Sequence, residues 1–86
     1  MHTVKLLFFA SLREALGRSE EIVEIPKGVN TVADLLSWQC QRNLKYQRAF
    51  SADKQIQAAI NNQHVSSNAL IIYADEIALF PPVTGG

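Results

Sequence analysis

Residues 3–9 read TVKLLFF. β-branched and aromatic residues dominate, which predicts a strand. Strand alternation puts Val4, Leu6 and Phe8 on one face and Lys5, Leu7 and Phe9 on the other. A second apolar run, EIALF at 76–80, sorts the same way: Ile77 and Leu79 against Glu76, Ala78 and Phe80. One helix covers only one face of a sheet. If the faces carrying Lys5 and Glu76 point to water, Leu7, Phe9, Ala78 and Phe80 go with them. That would be an exposed apolar patch of the kind that marks a partner site. The competing arrangement tucks one or both phenylalanines under a loop.

Between these two runs the chain supplies the rest of a small α+β domain. SLREALG, residues 11–17, predicts a short helix with Ser11 as N-cap, Glu14 completing a capping box and Gly17 as the stop. EEIVEI, residues 20–25, predicts a second strand closed by Pro26 and Gly28, antiparallel to the first. TVADLLSWQCQRN then predicts the main helix, with Thr31 as N-cap, Asp34 in the first turn and an apolar stripe of Val32, Leu35, Leu36 and Cys40. KYQRAF is expected to be a further turn or loop. IQAAI, residues 56–60, predicts a strand ended by the turn signal at Asn61 and Asn62. A short extended piece around Val65 and a loop near residues 66–75 precede the last strand. The order β-β-α-β-β around one long helix predicts an α+β roll.

Bulk composition narrows the function classes. The 86 residues carry eight basic and eight acidic side chains, so the formal net charge is zero. Phosphate binding needs clustered Lys and Arg on a basic domain, so a nucleic-acid partner is not expected. Hydrophobic residues make up 48% of the chain, enough for a core and too many for a disordered chain. The single cysteine, Cys40, excludes an intrachain disulfide and a cysteine-based metal cluster. The opening MHTVKLLFFASL has a lysine before an apolar run, yet that run is strand-length and REALG follows it without a small-residue cleavage site. No stretch approaches the ~20 apolar residues of a membrane helix. A cytoplasmic protein with no membrane partner is expected.

The last nine residues, ALFPPVTGG, pose a separate question. Pro81 and Pro82 lack amide hydrogens and fix their φ, so they halt strand pairing and favour an extended exit. Six residues from Pro81 to Gly86 reach roughly 20 Å at ~3.3–3.6 Å each. Gly85 and Gly86, without a Cβ, pass through a tunnel too narrow for larger residues. A glycine α-carboxyl is sterically open to attack, but a carboxylate is a poor electrophile because expelling oxide is prohibitive. Activation by ATP as an acyl-adenylate supplies a leaving group, and a sulfur nucleophile then yields a thiocarboxylate. The alternative is a frayed and inert end. The expected organisation is a domain over residues 1–80 and an extended tail over 81–86.

VKLLFFASLRE near the start, AAINNQHV in the middle and DEIALFPPVTGG at the end resemble the small subunit of molybdopterin synthase, the sulfur carrier of molybdenum cofactor biosynthesis. The resemblance spans nearly the whole chain, and FPPVTGG is its most specific part. It implies a ubiquitin-like β-grasp fold with a mixed sheet. It further implies that Gly86 is adenylated by an E1-like, ATP-dependent activating enzyme and converted to a thiocarboxylate. Sulfur then passes to precursor Z (cyclic pyranopterin monophosphate) inside the large catalytic subunit, two donations building the dithiolene. The assembly implied is a heterotetramer, with the small subunit not catalytic alone. No cofactor is implied as permanently bound; ATP serves the activating enzyme and the sulfur rides covalently on Gly86.

By position, the resemblance carries the acyl carrier to Gly86 and the slim residue before it to Gly85. Phe80, Pro81, Pro82, Val83 and Thr84 match the docking tail segment, and Phe9 and Phe80 match aromatic positions at the partner interface. Arg13 matches a basic position beside that surface, though a solvated helix charge is an equal reading. His64 stands near the interface where an apolar residue is common, and Ala74 where glycine is usual before the last strand. A thiamine-type sulfur carrier and a ubiquitin-like protein modifier share the same terminal chemistry and remain alternatives; so does an interaction module with an inert tail.

Other reactive side chains have plainer readings. Cys40 shares the helix stripe with Leu36 and is read as structural rather than as a sulfur relay. His2 and His64 have no companion at ligand spacing, so no metal site is expected. Asp75 and Glu76 are read as turn and surface charges rather than a catalytic pair. Trp38 is read as a packing residue or a partly exposed one.

Overall fold

The computed structural model describes residues 2–51, 54–72 and 74–82. The elements run β1 (His2–Phe8), α1 (Ser11–Leu16), β2 (Glu20–Ile25), α2 (Val32–Cys40), α3 (Leu44–Ala49), β3 (Gln57–Ile60), β4 (Gln63–Val65) and β5 (Glu76–Phe80). The strands form one sheet in the order β2-β1-β5-β3-β4. β1 and β5 are parallel neighbours at its centre, with Lys5 opposite Glu76, Leu6 opposite Ile77, Leu7 opposite Ala78 and Phe8 opposite Leu79. The other pairings are antiparallel, so the sheet is mixed as expected.

Parity along the two central strands decides where the core sits. Val4, Leu6, Phe8, Ile77 and Leu79 are all buried. Ala58 and Val23 extend the same face into β3 and β2, opposite Leu79 and Val4 respectively. Leu12 and Leu16 of α1, Val32 and Leu35 of α2, and Tyr46, Ala49 and Phe50 in and after α3 pack against that face. Phe8 meets Phe50 edge-on with ring centroids 6.2 Å apart, a favoured aromatic geometry.

The helical layer departs from expectation in two places. The main helix ends at Cys40, not at Asn43, and α3 occupies the segment expected as a turn or loop. The break has a local cause. Gln41 N–H bonds Trp38 O at 3.0 Å and Arg42 N–H bonds Gln39 O at 3.3 Å, a tightened last turn. Asn43 is then extended, and its side-chain oxygen accepts the Tyr46 N–H at 3.0 Å, capping a new helix. The stripe is also broader than the apolar residues alone suggest: Gln39 is fully buried, while Leu36 and Cys40 are half-buried. Cys40 Sγ donates to Phe50 O at 3.0 Å, in keeping with a structural role.

The second departure is at α1. Ser11, expected as N-cap, is its first helical residue, and the cap position is Ala10, which makes no side-chain cap bond. Phe9 N–H still bonds Leu79 O at 3.1 Å, so sheet pairing continues to the residue before Ala10. The chain turns at once through Ala10, at φ 53°, and leaves no extended residue for Ser11 to cap from. Gly17 ends the helix as expected, at φ 71°, donating to Arg13 O at 2.9 Å.

α2 starts as its sequence predicts. Asp34 accepts the N–H groups of Asn30 and Thr31 at 3.1 and 3.2 Å while its own N–H bonds Thr31 Oγ1 at 3.1 Å. These backbone donors, Asn30 first, hold the Asp34 carboxyl below its ordinary range. The segment after β4 crosses this helix end: Ala69 O and Ser67 O accept the Val32 and Ala33 N–H groups at 3.0 and 2.8 Å, satisfying donors that a helix start leaves unpaired. Between β3 and β4, Asn61 and Asn62 lie at φ 48° and 73°. Two positive φ values in a two-residue loop are the mark of a type I′ hairpin turn, which asparagine tolerates.

One polar network, unforeseen in the sequence, ties the sheet edge to the helices. Glu21 on β2 lies opposite Leu6, on the covered face. Arg42 grips its carboxylate with both terminal nitrogens, at 2.8 and 2.6 Å, and Tyr46 OH donates to it at 3.0 Å. Arg18 adds an ion pair at 3.2 Å. Arg42 also donates to Gln39 Oε1 at 2.9 Å and lies over the Tyr46 and Trp38 rings, 4.2 and 5.2 Å from their centroids. The Arg42 hydrogen bonds hold the Glu21 carboxyl below its ordinary value, and the same bonds raise Arg42.

Two expectations follow from this architecture. Because the Glu21 pKa is depressed in the fold, its contribution is present above the ordinary glutamate value of 4.5 and is lost as pH falls through the lower native value. Glu21→Gln should cost about 2 kcal/mol near neutral pH and flatten the acid limb that begins below pH 4.5, measured by urea melts across pH; an unchanged acid limb would contradict this. Phe8→Ala should cost about 3–5 kcal/mol, whereas Phe9→Ala, at a site 46% exposed, should cost about 0.5 kcal/mol or less. Equal costs in the same melts would mean that the two faces are misassigned.

Candidate functional site

The face of the sheet opposite the helices is assembled by register. Leu7 is level with Ala78 on β5, Ala78 with Ala59 on β3, and Ala59 with His64 on β4. One step along lie Phe80 and Gln57, again opposite each other. In the other direction Ile22, Lys5 and Glu76 form a row. Phe9 and Ile22 are 46% and 67% exposed, and Leu7, Ala59, Ala78 and Phe80 are half-buried. The apolar patch expected from alternation is therefore present, and neither phenylalanine is fully buried under a loop.

Small residues make the middle of this face shallow. Ala59 and Ala78 stand side by side, flanked by Leu7 and His64, so the sheet surface there is open to a partner's side chains. The His64 ring lies 5.9 Å from the Phe80 ring at 49°, and its Nε2 is 3.0 Å from Gln57 Oε1. His64 thus steadies Phe80 on the side nearest the end of β5. Lys5 pairs with Glu20 at 3.5 Å, an exposed pair of small energetic weight. Ala59, Gln57 and Ile22 were not singled out from sequence, although the period-two rule applied to β2 and β3 assigns all three to this face.

Arg13 is exposed on α1, and among the described residues its guanidinium makes no hydrogen bond or ion pair. That is the geometry of a free surface cation. Beyond Phe80 the chain continues through Pro81 and Pro82, both half-buried, with Pro81 on the rim of a groove between α1 and α3. Val83, Thr84, Gly85 and Gly86, the expected tail and acyl carrier, lie outside the described residues. Among the described residues no group of three or more His, Cys, Asp or Glu side chains is placed to hold a metal ion. No described helix is long and apolar enough to cross a membrane. What the open face offers is contact: an apolar strip with one imidazole, continuous with the strand that launches the C-terminal segment.

Comparison with known proteins agrees with this geometry. The chain is 35% identical to the molybdopterin synthase sulfur carrier subunit of Escherichia coli, across 96% of this chain and 99% of the relative. Among solved structures, a candidate molybdopterin converting factor subunit 1 from Pyrococcus furiosus superposes with a TM-score of 0.73 at 30% identity, covering 96% of this chain and all of that one. Small archaeal modifier protein 1 from Methanosarcina acetivorans superposes with a TM-score of 0.66 at 29% identity, over all of this chain and 98% of that one. The fold is the ubiquitin-like β-grasp expected from the sequence. The ThiS family pattern matches residues 6–86, and with a helix-covered mixed sheet and a bare apolar face in place, the chain belongs to the ThiS family.

Proposed function

We propose that this protein is the sulfur-carrying small subunit of a molybdopterin synthase, and that Gly86 is its working residue. The observation that carries the proposal is the continuity of Phe9, Ala78 and Phe80 on an uncovered sheet face with the strand leading into Pro81 and Pro82. A carrier has to be held by its body while its end reacts elsewhere, and this arrangement separates those two tasks. The relationship to sulfur carrier subunits supports the same reading.

The chemistry falls to Gly86. Its carboxylate oxygen attacks the α-phosphorus of ATP in an E1-like activating enzyme, releasing pyrophosphate and forming an acyl-adenylate. Hydrosulfide from the sulfur source attacks the acyl carbon, AMP departs, the sulfur loses its proton, and a thiocarboxylate remains. The tail, residues 81–86, then enters the large catalytic subunit, where the sulfur passes to precursor Z and water restores the carboxylate. Gly85 and Gly86 keep the tip slim, Pro81 and Pro82 stiffen its root, and Val83 and Thr84 line its passage. The domain over residues 1–80 docks outside through Phe9, Phe80 and His64, with Arg13 beside them. ATP belongs to the activating enzyme, the assembly is a heterotetramer, and the setting is the cytoplasm.

A second reading has its own support in the likeness to small archaeal modifier protein 1: the same activated Gly86 would be joined to a lysine amine instead of receiving sulfur. Mass spectrometry distinguishes them. After incubation with ATP, a sulfur source and the activating enzyme, the carrier gains about 16 Da as sulfur replaces oxygen; a modifier appears as a lysine conjugate. An unchanged mass would count against both.

Removing Gly86 should abolish sulfur donation while leaving the thermal midpoint unchanged; donation by the shortened chain would sink the proposal. Phe80→Asp should weaken binding to the large subunit by at least about tenfold, because it places a charge in an apolar contact. Calorimetry with the large subunit reads this directly, and equal affinity would show that this face is not the docking surface.

A further inference from the structure

The helical side of the molecule carries a second surface that the carrier chemistry does not use. Between α1 and α3 lies a groove of about 570 Å³, within the range of roughly 300–1,000 Å³ typical of ligand clefts. Leu12 and Ala49, both buried, close its inner side. Its apolar rim is formed by Leu44, Ile56 and Pro81, and Leu44 is 58% exposed. Among the described residues its charged lining side chains are Lys45, Arg48 and Lys54, with no carboxylate.

Three of the chain's eight basic residues therefore face one groove in a protein of zero net charge. None makes an ion pair among the described residues, whose pairs draw on Lys5, Arg18 and Arg42 instead. Of the described acids, Glu20, Glu21 and Glu24 lie on β2, Glu76 opens β5, and Asp34 is taken up by the α2 cap. Like charges gathered along one groove repel one another, and an exposed leucine beside them adds unfavourable contact with water. An occupant with negative charge and an apolar side chain relieves both costs at once.

We propose that this groove docks an acidic peptide segment of a partner protein, one that alternates carboxylates with a leucine-like anchor. The anchor lies against Leu44, Ile56 and Pro81, and the carboxylates meet Lys45, Arg48 and Lys54. Lys45 and Arg48 are three residues apart on α3, about 5–6 Å between Cβ atoms, while Lys54 comes from a separate segment. Cations drawn from two separate segments and an apolar rim suit a peptide that carries both charge and an apolar anchor, which an isolated phosphate lacks. Because Pro81 belongs to the groove, a docked segment lies beside the root of the C-terminal arm, on the helix side of the fold. The inference stands independently of the sulfur-carrier reading.

The test uses the full chain and a short fluorescein-labelled peptide of alternating glutamate and leucine, read by anisotropy and by amide chemical shifts. Binding should perturb Leu44–Ala49 and Lys54 and weaken as salt rises from about 50 to about 200 mM. The double variant K45E/R48E should lose roughly tenfold in affinity, and Leu44→Ser several-fold. Lys45 and Arg48 are exposed, so the native circular dichroism should be retained; should the double reversal unfold, the neutral variant R48Q/K54Q reads the same loss. A chain lacking Gly86 should bind the peptide unchanged, which separates this inference from the carrier chemistry. Undiminished affinity of the charge variants would overturn the proposal, as would shifts confined to β2. So would equal perturbation by inorganic phosphate alone, which would make the groove a small-anion site. Concentration-dependent self-association of the free chain that K45E/R48E abolishes would assign the groove to a second copy instead.

Discussion

The parallel pairing of β1 with β5 is the constraint on which the remainder rests. Setting Lys5 against Glu76 and Phe8 against Leu79 fixes which residues of both central strands face the helices. The covered face takes Val4, Leu6, Phe8, Ile77 and Leu79; the bare face takes what is left, including Phe9 and Phe80. A slip of one residue would exchange the two sets and put Lys5 and Glu76 into the core. The uncovered apolar strip is thus a direct product of the register that builds the interior. The core and the bare apolar face are written on alternate residues of the same strands.

The helical layer is held to this sheet by packing and by one charged cluster. Phe50 links α3 to Phe8 at the sheet centre and stacks on Tyr46 with centroids 6.2 Å apart. Glu21 and Arg42 then fasten the β2 edge to the junction between α2 and α3. Arg42 is at once a bidentate donor, a cation over two rings and the residue just after the break in the helix. Its planar fork suits all three roles in a way a lysine ammonium does not. The cluster also determines which side of α3 turns inward, so that Leu44, Lys45 and Arg48 are left outward beside α1.

Much of this was legible in the chain. Alternation in TVKLLFF and EIALF gave the two faces, Thr31 and Asp34 gave the start of α2, and the paired asparagines gave the turn after β3, because each signal is local and follows from backbone geometry; that the extended piece around Val65 pairs with β3 as a fifth strand was not read. The misses have a common character. α3 was hidden because Asn43 reads equally well as the end of one helix or the cap of the next; the tightened turn at Gln41 and Arg42 decided between them. Ser11 was passed over as a cap because sheet pairing runs on through Phe9, a tertiary effect. Glu21 has the parity of a core-facing residue yet carries a charge, and only the arrival of Arg42 and Tyr46 from distant positions explains it. At the candidate site, Phe9 and Phe80 were readable from periodicity alone, while the contact of His64 with Phe80 needed β4 to be placed beside β3.

The first and last strands are adjacent at the middle of the sheet, so the interior cannot close until the chain has been synthesised through Phe80. Non-local pairing of this kind delays folding until late in translation. A ribosome that stops early releases a chain without its central ladder, exposed to proteolysis and lacking an ordered surface for partners. Completion of the domain therefore waits on its last strand. The topology acts as a proofreading step, letting only chains that extend through β5 acquire a closed core.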